Sequence, residues 1–188
     1  LALKAIESVG QNLATACQDG QNVQAREKVA YGSSMSGMVM SVDNLCSEHS
    51  LEHPLSAYHH EIAHGAGLIM ISKAYYTHFV ENCPDLHDRF IDMAKAMGKT
   101  DAKEPMDFVT ALVDLQKACG VDNLKMSDYG IQADEMEKTA EIIPDGEGNF
   151  SELYVEGDLL AAVYIPQSYA IAEDSAGQNG TEGDGNSV

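Results

Sequence analysis

The sequence predicts an all-α fold, and three observations carry that expectation. Apolar residues recur every three or four positions in one stretch after another, the spacing that puts side chains on one face of a helix. Glycines and prolines fall between those stretches, where helices stop and start. Before residue 141, no run of alternating apolar residues reaches strand length. The 188 residues suffice for one well-buried domain and not comfortably for two.

Ile6, Val9, Leu13 and Cys17 mark a first helix that Gly20 stops. The Asn22 side chain can cap a second helix. That helix carries Val23, Val29, Met35, Met38 and Val42 as its apolar stripe. Gly32, Ser33, Ser36 and Gly37 lie among them. A helical glycine costs about 1 kcal/mol against alanine, so this run of small residues predicts close packing on another helix. Asp43-Asn44 reads as a break. The stretch from Ser47 to Tyr58 follows, and Pro54 either bends its helix or restarts it as a first-turn residue.

Gly65 to about Glu81 is a further helix, with Leu68, Ile69, Ile71, Tyr75, Tyr76 and Phe79 as its apolar residues. Asn82 or Cys83 caps the next one, with Pro84 in its first turn. Its stripe is Leu86, Phe90, Met93 and Met97, and Gly98 ends it. Pro105 opens a helix carrying Phe108, Leu112, Leu115 and Cys119, which Gly120 stops. Ser127-Asp128-Tyr129-Gly130 is a loop, and Asp134 to Glu141 a short charged helix. Leu159 to Ile165 is apolar and reads as either a strand or a buried helical turn. Residues 1–141 therefore form the helical domain, and 142–188 an acidic, Gly-rich tail of undetermined structure. Its last part, Ala176 to Val188, has almost nothing to bury and should be mobile.

Function concentrates in one stretch. Five of the seven histidines lie between Ser47 and Gly67. His49 and His53 are four residues apart and share one face of a helix. His64 stands just before Gly65-Ala66-Gly67, small residues that let the backbone turn and a new helix begin. Imidazole is the commonest protein metal ligand near neutral pH and suits Zn, Fe, Cu or Ni. Two or three imidazoles converging from two segments make a metal site. A lone histidine is more often a surface or core residue; a cluster of this kind is not. His59 and His60, beside Glu61, are expected to be solvent-facing loop residues.

Composition excludes several alternatives. The net charge of −19 leaves no basic patch for nucleic-acid phosphates. From Thr139 to Val188 there is no Lys or Arg, against ten Asp or Glu. No apolar run approaches a membrane span, and no basic stretch preceding an apolar run reads as a signal peptide. A cytoplasmic protein, or a salt-tolerant one, fits this charge. Cys17, Cys46, Cys83 and Cys119 show no CxxC pairing and are expected to be buried reduced thiols. Cys46 lies three residues before His49 and is the exception to watch.

The stretch Ser47-Glu48-His49-Ser50-Leu51-Glu52-His53-Pro54-Leu55-Ser56-Ala57-Tyr58, followed by His64-Gly65-Ala66-Gly67-Leu68, closely resembles the metal-binding signature of the iron-containing (group III) alcohol dehydrogenases. Its flanks resemble that family too: Ala25-Arg26-Glu27-Lys28-Val29-Ala30-Tyr31, then Ser36-Gly37-Met38, and later Ser127-Asp128-Tyr129-Gly130-Ile131. The resemblance runs from Leu1 to about Glu141. Beyond it, Ile142-Ile143-Pro144-Asp145-Gly146 departs from the family pattern.

The resemblance implies a dehydroquinate synthase-like, bundle-like C-terminal helical domain. It implies that an N-terminal NAD(P)-binding domain belongs to a longer protein, of which this chain is a piece. It also implies an oxidoreductase that moves hydride between an alcohol or aldehyde and NAD or NADP. Divalent iron would act as the Lewis acid, with zinc possible, and the full-length protein would be a homo-oligomer, a dimer. By the same resemblance His49 and His64 match metal ligands; the family's other two, an Asp and a His, lie upstream of Leu1. His53 matches a histidine that faces the nicotinamide and substrate without binding metal, where it can relay a proton. The chain alone is expected to be inactive.

Two other readings come from different classes. His49-Ser50-Leu51-Glu52-His53 has the HxxEH spacing of zinc peptidases whose Glu acts as general base. The chain could also be a non-catalytic helical module, indifferent to metal and chelator.

Overall fold

Helix α1 (Ala2–Gly10) and α3 (Val23–Met40) pack through small residues. The computed structural model describes residues 1–42 and 47–131, and the backbone of two strands at 150–155 and 159–164. Ala5 and Ser8 of α1 are buried, as are Ala25, Gly32 and Met35 of α3. A Cβ added at Gly32 would lie 2.7 Å from Val9 Cγ2 and 3.1 Å from the Ala5 carbonyl oxygen. Glycine at position 32 is therefore what lets these two helices approach, whereas Ser33, Ser36 and Gly37 of the same small-residue run are exposed.

The remaining elements follow in order. Helix α2 is Leu13–Gln18, α4 is Ser47–Tyr58 and α5 is His64–Asn82. A 3-10 turn at Pro84–Leu86 leads into α6, His87–Ala96. Helix α7 is Met106–Cys119, and a second 3-10 turn covers Met126–Tyr129. The fold is all-α, with one antiparallel hairpin of β1 (Phe150–Val155) and β2 (Leu159–Tyr164) near its end. Leu159 to Ile165, left open between strand and helix, is thus a strand as far as Tyr164.

Several boundaries fall where the residues placed them. The Asn22 side chain accepts a hydrogen bond from the Ala25 amide at 3.0 Å and caps α3. Gly98 and Gly120 adopt φ of +106° and +72°, ending α6 and α7; Gly130, at +77°, ends a 3-10 turn where a loop was expected. Pro54 lies inside a continuous α4 and does not restart it.

Others are corrections. The first helix does not run to Gly20; it breaks at Gln11-Asn12 into α1 and α2. Asn12 Nδ2 donates back to the Ser8 carbonyl at 2.9 Å, and Gln11 Nε2 donates to Ala96 O at 2.8 Å. The Asn12 side chain takes over a carbonyl of the last turn, which competes with continuation of the helix. The expected stripe of α3 is only partly its packing face, since of its residues Met35 alone is buried. Val23, Met38 and Val42 are exposed, because closeness to α1 selects the small residues instead. Leu86 is also exposed. Cys17 is exposed and Cys83 and Cys119 are half-buried, so these thiols are free but not buried. Cys46, Asp43-Asn44, the helix expected at 134–141 and the tail from Ala176 lie outside the described residues.

The apolar interior has two parts. Leu51 and Leu55 of α4, Ile62, and Met70, Ile71, Ala74 and Tyr75 of α5 form one with Met126 and Ile131. Val80, Phe90, Ala94, Ala102, Phe108 and Val109 form the other. Tyr76 and Phe79 of α5 pack against both. Gln116 Nε2 of α7 donates to Ser72 Oγ at 2.8 Å, tying α7 to α5. Helix α5 is thus held along its length, and the junction of α4 with its first turn sits on a packed floor.

Candidate metal centre

Helix α4 places His49 and His53 one turn apart on one face, with ring centroids 6.3 Å from each other. Glu48, Leu51, Glu52, Pro54 and Leu55 are buried, and this locks α4 in rotation about its axis. The chain then turns through residues 59–63, where Ile62 drops into the core. Helix α5 begins at His64, whose ring returns to within 5.2 Å of His49 and 5.4 Å of His53, centroid to centroid.

The three residues singled out in the sequence therefore meet. One nitrogen from each of His49, His53 and His64 lies within 4.8 Å of the others. His49 Nδ1 and His64 Nε2 are 3.2 Å apart. Metal–imidazole bonds of about 2.0–2.1 Å put two nitrogens on one ion about 3.0–3.4 Å from each other. The spacing of the His49 and His64 nitrogens fits two ligands on one divalent transition metal. His49 is half-buried, while His53 and His64 are exposed, so the cluster opens outward. Burial, and then the neighbouring His64 and His53 rings, hold the His49 pKa below its usual value. A neutral imidazole keeps the lone pair that a metal needs.

Beneath the rings lie two buried carboxylates. Glu52 is fully buried and accepts hydrogen bonds from Ser56 Oγ and His64 Nδ1. A Cβ at Gly67 would come 2.5 Å from Glu52 Oε1, so only glycine there leaves room for this carboxylate. Glu48 is also buried and accepts from the Tyr76 hydroxyl at 3.0 Å. Burial pushes its pKa up to about 7, and the Tyr76 bond offsets part of that rise. Ser47 Oγ and the Tyr75 hydroxyl share a hydrogen bond of 2.8 Å.

These carboxylates are what sequence reasoning missed. The signal was present: Glu48, Leu51, Glu52 and Leu55 recur at the three–four spacing of a buried stripe. With both oxygens engaged and no exposure, Glu52 cannot face a water in the cleft as the general base of an HxxEH peptidase. His59 also differs from expectation. It is half-buried with Nδ1 3.7 Å from Glu61 Oε1, whereas His60 is exposed as expected.

Comparison with known proteins shows the family. The model of the Fe-containing alcohol dehydrogenase family, C-terminal, matches residues 1–154. The chain belongs to the iron-containing alcohol dehydrogenase family. The match passes Glu141, where the resemblance was expected to end, and reaches into the hairpin.

This member of the iron-containing alcohol dehydrogenases is 28% identical to the 1,3-propanediol dehydrogenase of Citrobacter freundii over 152 residues, 77% of this chain and 38% of that protein. It is 27% identical over 176 residues to the long-chain primary alcohol dehydrogenase AdhA of Thermoanaerobacter ethanolicus, 87% of this chain and 42% of that one. A crystal structure of an alcohol dehydrogenase from an archaeal halo-thermophile of a Red Sea brine pool matches with a TM-score of 0.67 and 27% identity. It covers 74% of this chain and 36% of that chain. The chain thus spans well under half the length of each of these relatives. No helix among the described residues is long and apolar enough to cross a membrane.

Proposed function

We propose that this chain is the metal-holding helical domain of an NAD(P)-dependent alcohol dehydrogenase. His49 and His64 would ligate a divalent metal, iron by family and zinc as an alternative. The 3.2 Å spacing between His49 Nδ1 and His64 Nε2 carries the reading. Small alcohols or aldehydes are the proposed substrates, and the relatives' names support that class. When bound, the metal supplies Lewis acidity toward an alcohol oxygen and a nicotinamide nucleotide takes up the hydride.

The chain's own residues have separate tasks. Partial burial among other imidazoles disfavours the charged form of His49. His64 is the first residue of α5, and its other ring nitrogen is anchored on Glu52. His53 stands exposed at the rim of the cluster and can accept and pass on the alcohol proton. That position suits a residue facing nicotinamide and substrate.

The test uses the full-length protein, loaded anaerobically with Fe(II) and assayed for NAD(P)-dependent oxidation of short alcohols and diols. His49→Ala and His64→Ala should abolish both activity and metal binding. His53→Ala should lower kcat by roughly 10²-fold or more while metal still binds. In the 188-residue chain, zinc at about a hundred times its Kd should add about 2.7 kcal/mol of stability, removable by chelator. A folded full-length protein whose melting temperature ignores both metal and chelator would leave only the non-catalytic helical module.

A further inference from the structure

We propose that Glu52 is the positioning residue of the histidine cluster. Its carboxylate holds the His64 ring by Nδ1, so that Nε2 is the atom presented to His49 and to a metal. The inference rests on the metal-site reading above and extends it to a residue outside the histidines.

Three features of the molecule carry it. Glu52 has no exposed surface, and a carboxylate taken out of water needs donors. Among the described residues those donors are Ser56 Oγ and His64 Nδ1. The opening turn of α5 is shaped to admit the carboxylate: a methyl group at Gly67 would fall 2.5 Å from Oε1 and 2.7 Å from Cγ. The opposite nitrogen of the same ring, Nε2, faces His49 Nδ1 at 3.2 Å.

The chemistry follows from the imidazole itself. A neutral ring has one N–H and one lone pair. If Nδ1–H is held by a carboxylate, the lone pair sits on Nε2, and the ring becomes a stronger and better-oriented donor. Glu52 sits against the first turn of α5, where the helix dipole also favours negative charge. Helix α4 thus contributes two histidines directly and orients the third, on α5, through Glu52.

The experiment begins with the metal-free 188-residue chain at a pH where the ring is neutral. Long-range 1H–15N spectra should show His64 as a single tautomer protonated at Nδ1. Glu52→Gln should remove that preference and weaken Zn(II) binding roughly 10- to 100-fold in competition with a chromophoric chelator. Glu52→Asp should restore part of the affinity. A wild-type His64 protonated at Nε2 overturns the proposal, whatever the variants do. So does a folded Glu52→Gln with unchanged tautomer and unchanged zinc affinity. If Glu52→Gln does not fold, the wild-type spectrum still decides. A wild type that holds the Nδ1 tautomer while the full-length protein binds no divalent metal supports the Glu52–His64 pairing and overturns the metal reading beneath it.

Discussion

Glu48 and Glu52 occupy the same buried stripe one helical turn apart, yet they are stabilised differently. Glu52 has two donors, one of them an imidazole. Glu48 accepts from the Tyr76 hydroxyl, and burial lifts its pKa from 4.5 to about 7. The consequence for stability has a definite sign. Between those two values the folded state keeps a proton that the unfolded chain releases, so the Glu48 contribution is complete below pH 4.5 and fades as pH rises to about 7. His49, with its pKa lowered, works in the opposite sense below its ordinary value of 6.5. Glu48→Gln isolates the first effect. Urea unfolding of the metal-free chain should give near-equal stabilities for variant and wild type at about pH 4, below the ordinary carboxyl value. At pH 8 the variant should gain on the order of 3 kcal/mol. A gap that does not change with pH would show that Glu48 ionises without cost.

Helix α3 carries two glycines with opposite roles, and this can be tested at the level of the element. Gly32 faces α1, where an added Cβ would meet Val9 and the Ala5 carbonyl. Gly37 meets nothing within 4 Å. Helix propensity alone favours alanine at both by about 1 kcal/mol. Gly37→Ala should therefore stabilise the chain by roughly 0.4–1 kcal/mol. Gly32→Ala should destabilise it by about 1–3 kcal/mol, because α1 must shift away. Thermal unfolding of the two variants side by side reads the difference. Equal shifts would mean that α1 and α3 do not pack as described.

At the scale of the whole molecule, charge dominates. With 30 acidic and 11 basic residues, the folded chain repels itself, and added salt screens that repulsion. Few ion pairs offset it among the described residues; Lys99 with Asp107 at 2.8 Å is one. The melting temperature should rise steadily between about 0.01 and 1 M NaCl, as the Debye length falls from about 30 to 3 Å. A flat response would mean that the acidic residues are too far apart, or too well hydrated, to oppose folding.

Much of this architecture was legible in the residues. Periodicity, the Asn22 cap and the stops at Gly98 and Gly120 depend on neighbours within a few positions, and local rules suffice for them. The three histidines were legible for the same reason: helical spacing pairs His49 with His53, and the glycines after His64 mark a new start. What lay beyond the sequence depends on residues far apart in the chain. Which side of α3 packs was decided by Ala5 and Ser8 of another helix. The 3.2 Å approach of His64 to His49 was decided by how Ile62 and the floor of the core fold the loop between them. That Glu52 is buried against His64 and Gly67, and does not stand open as a base, follows from the close packing of α4 on α5. Local pattern determined the helices and the candidate ligands; only tertiary packing decided which side chains meet, because burial and proximity are properties of the folded chain.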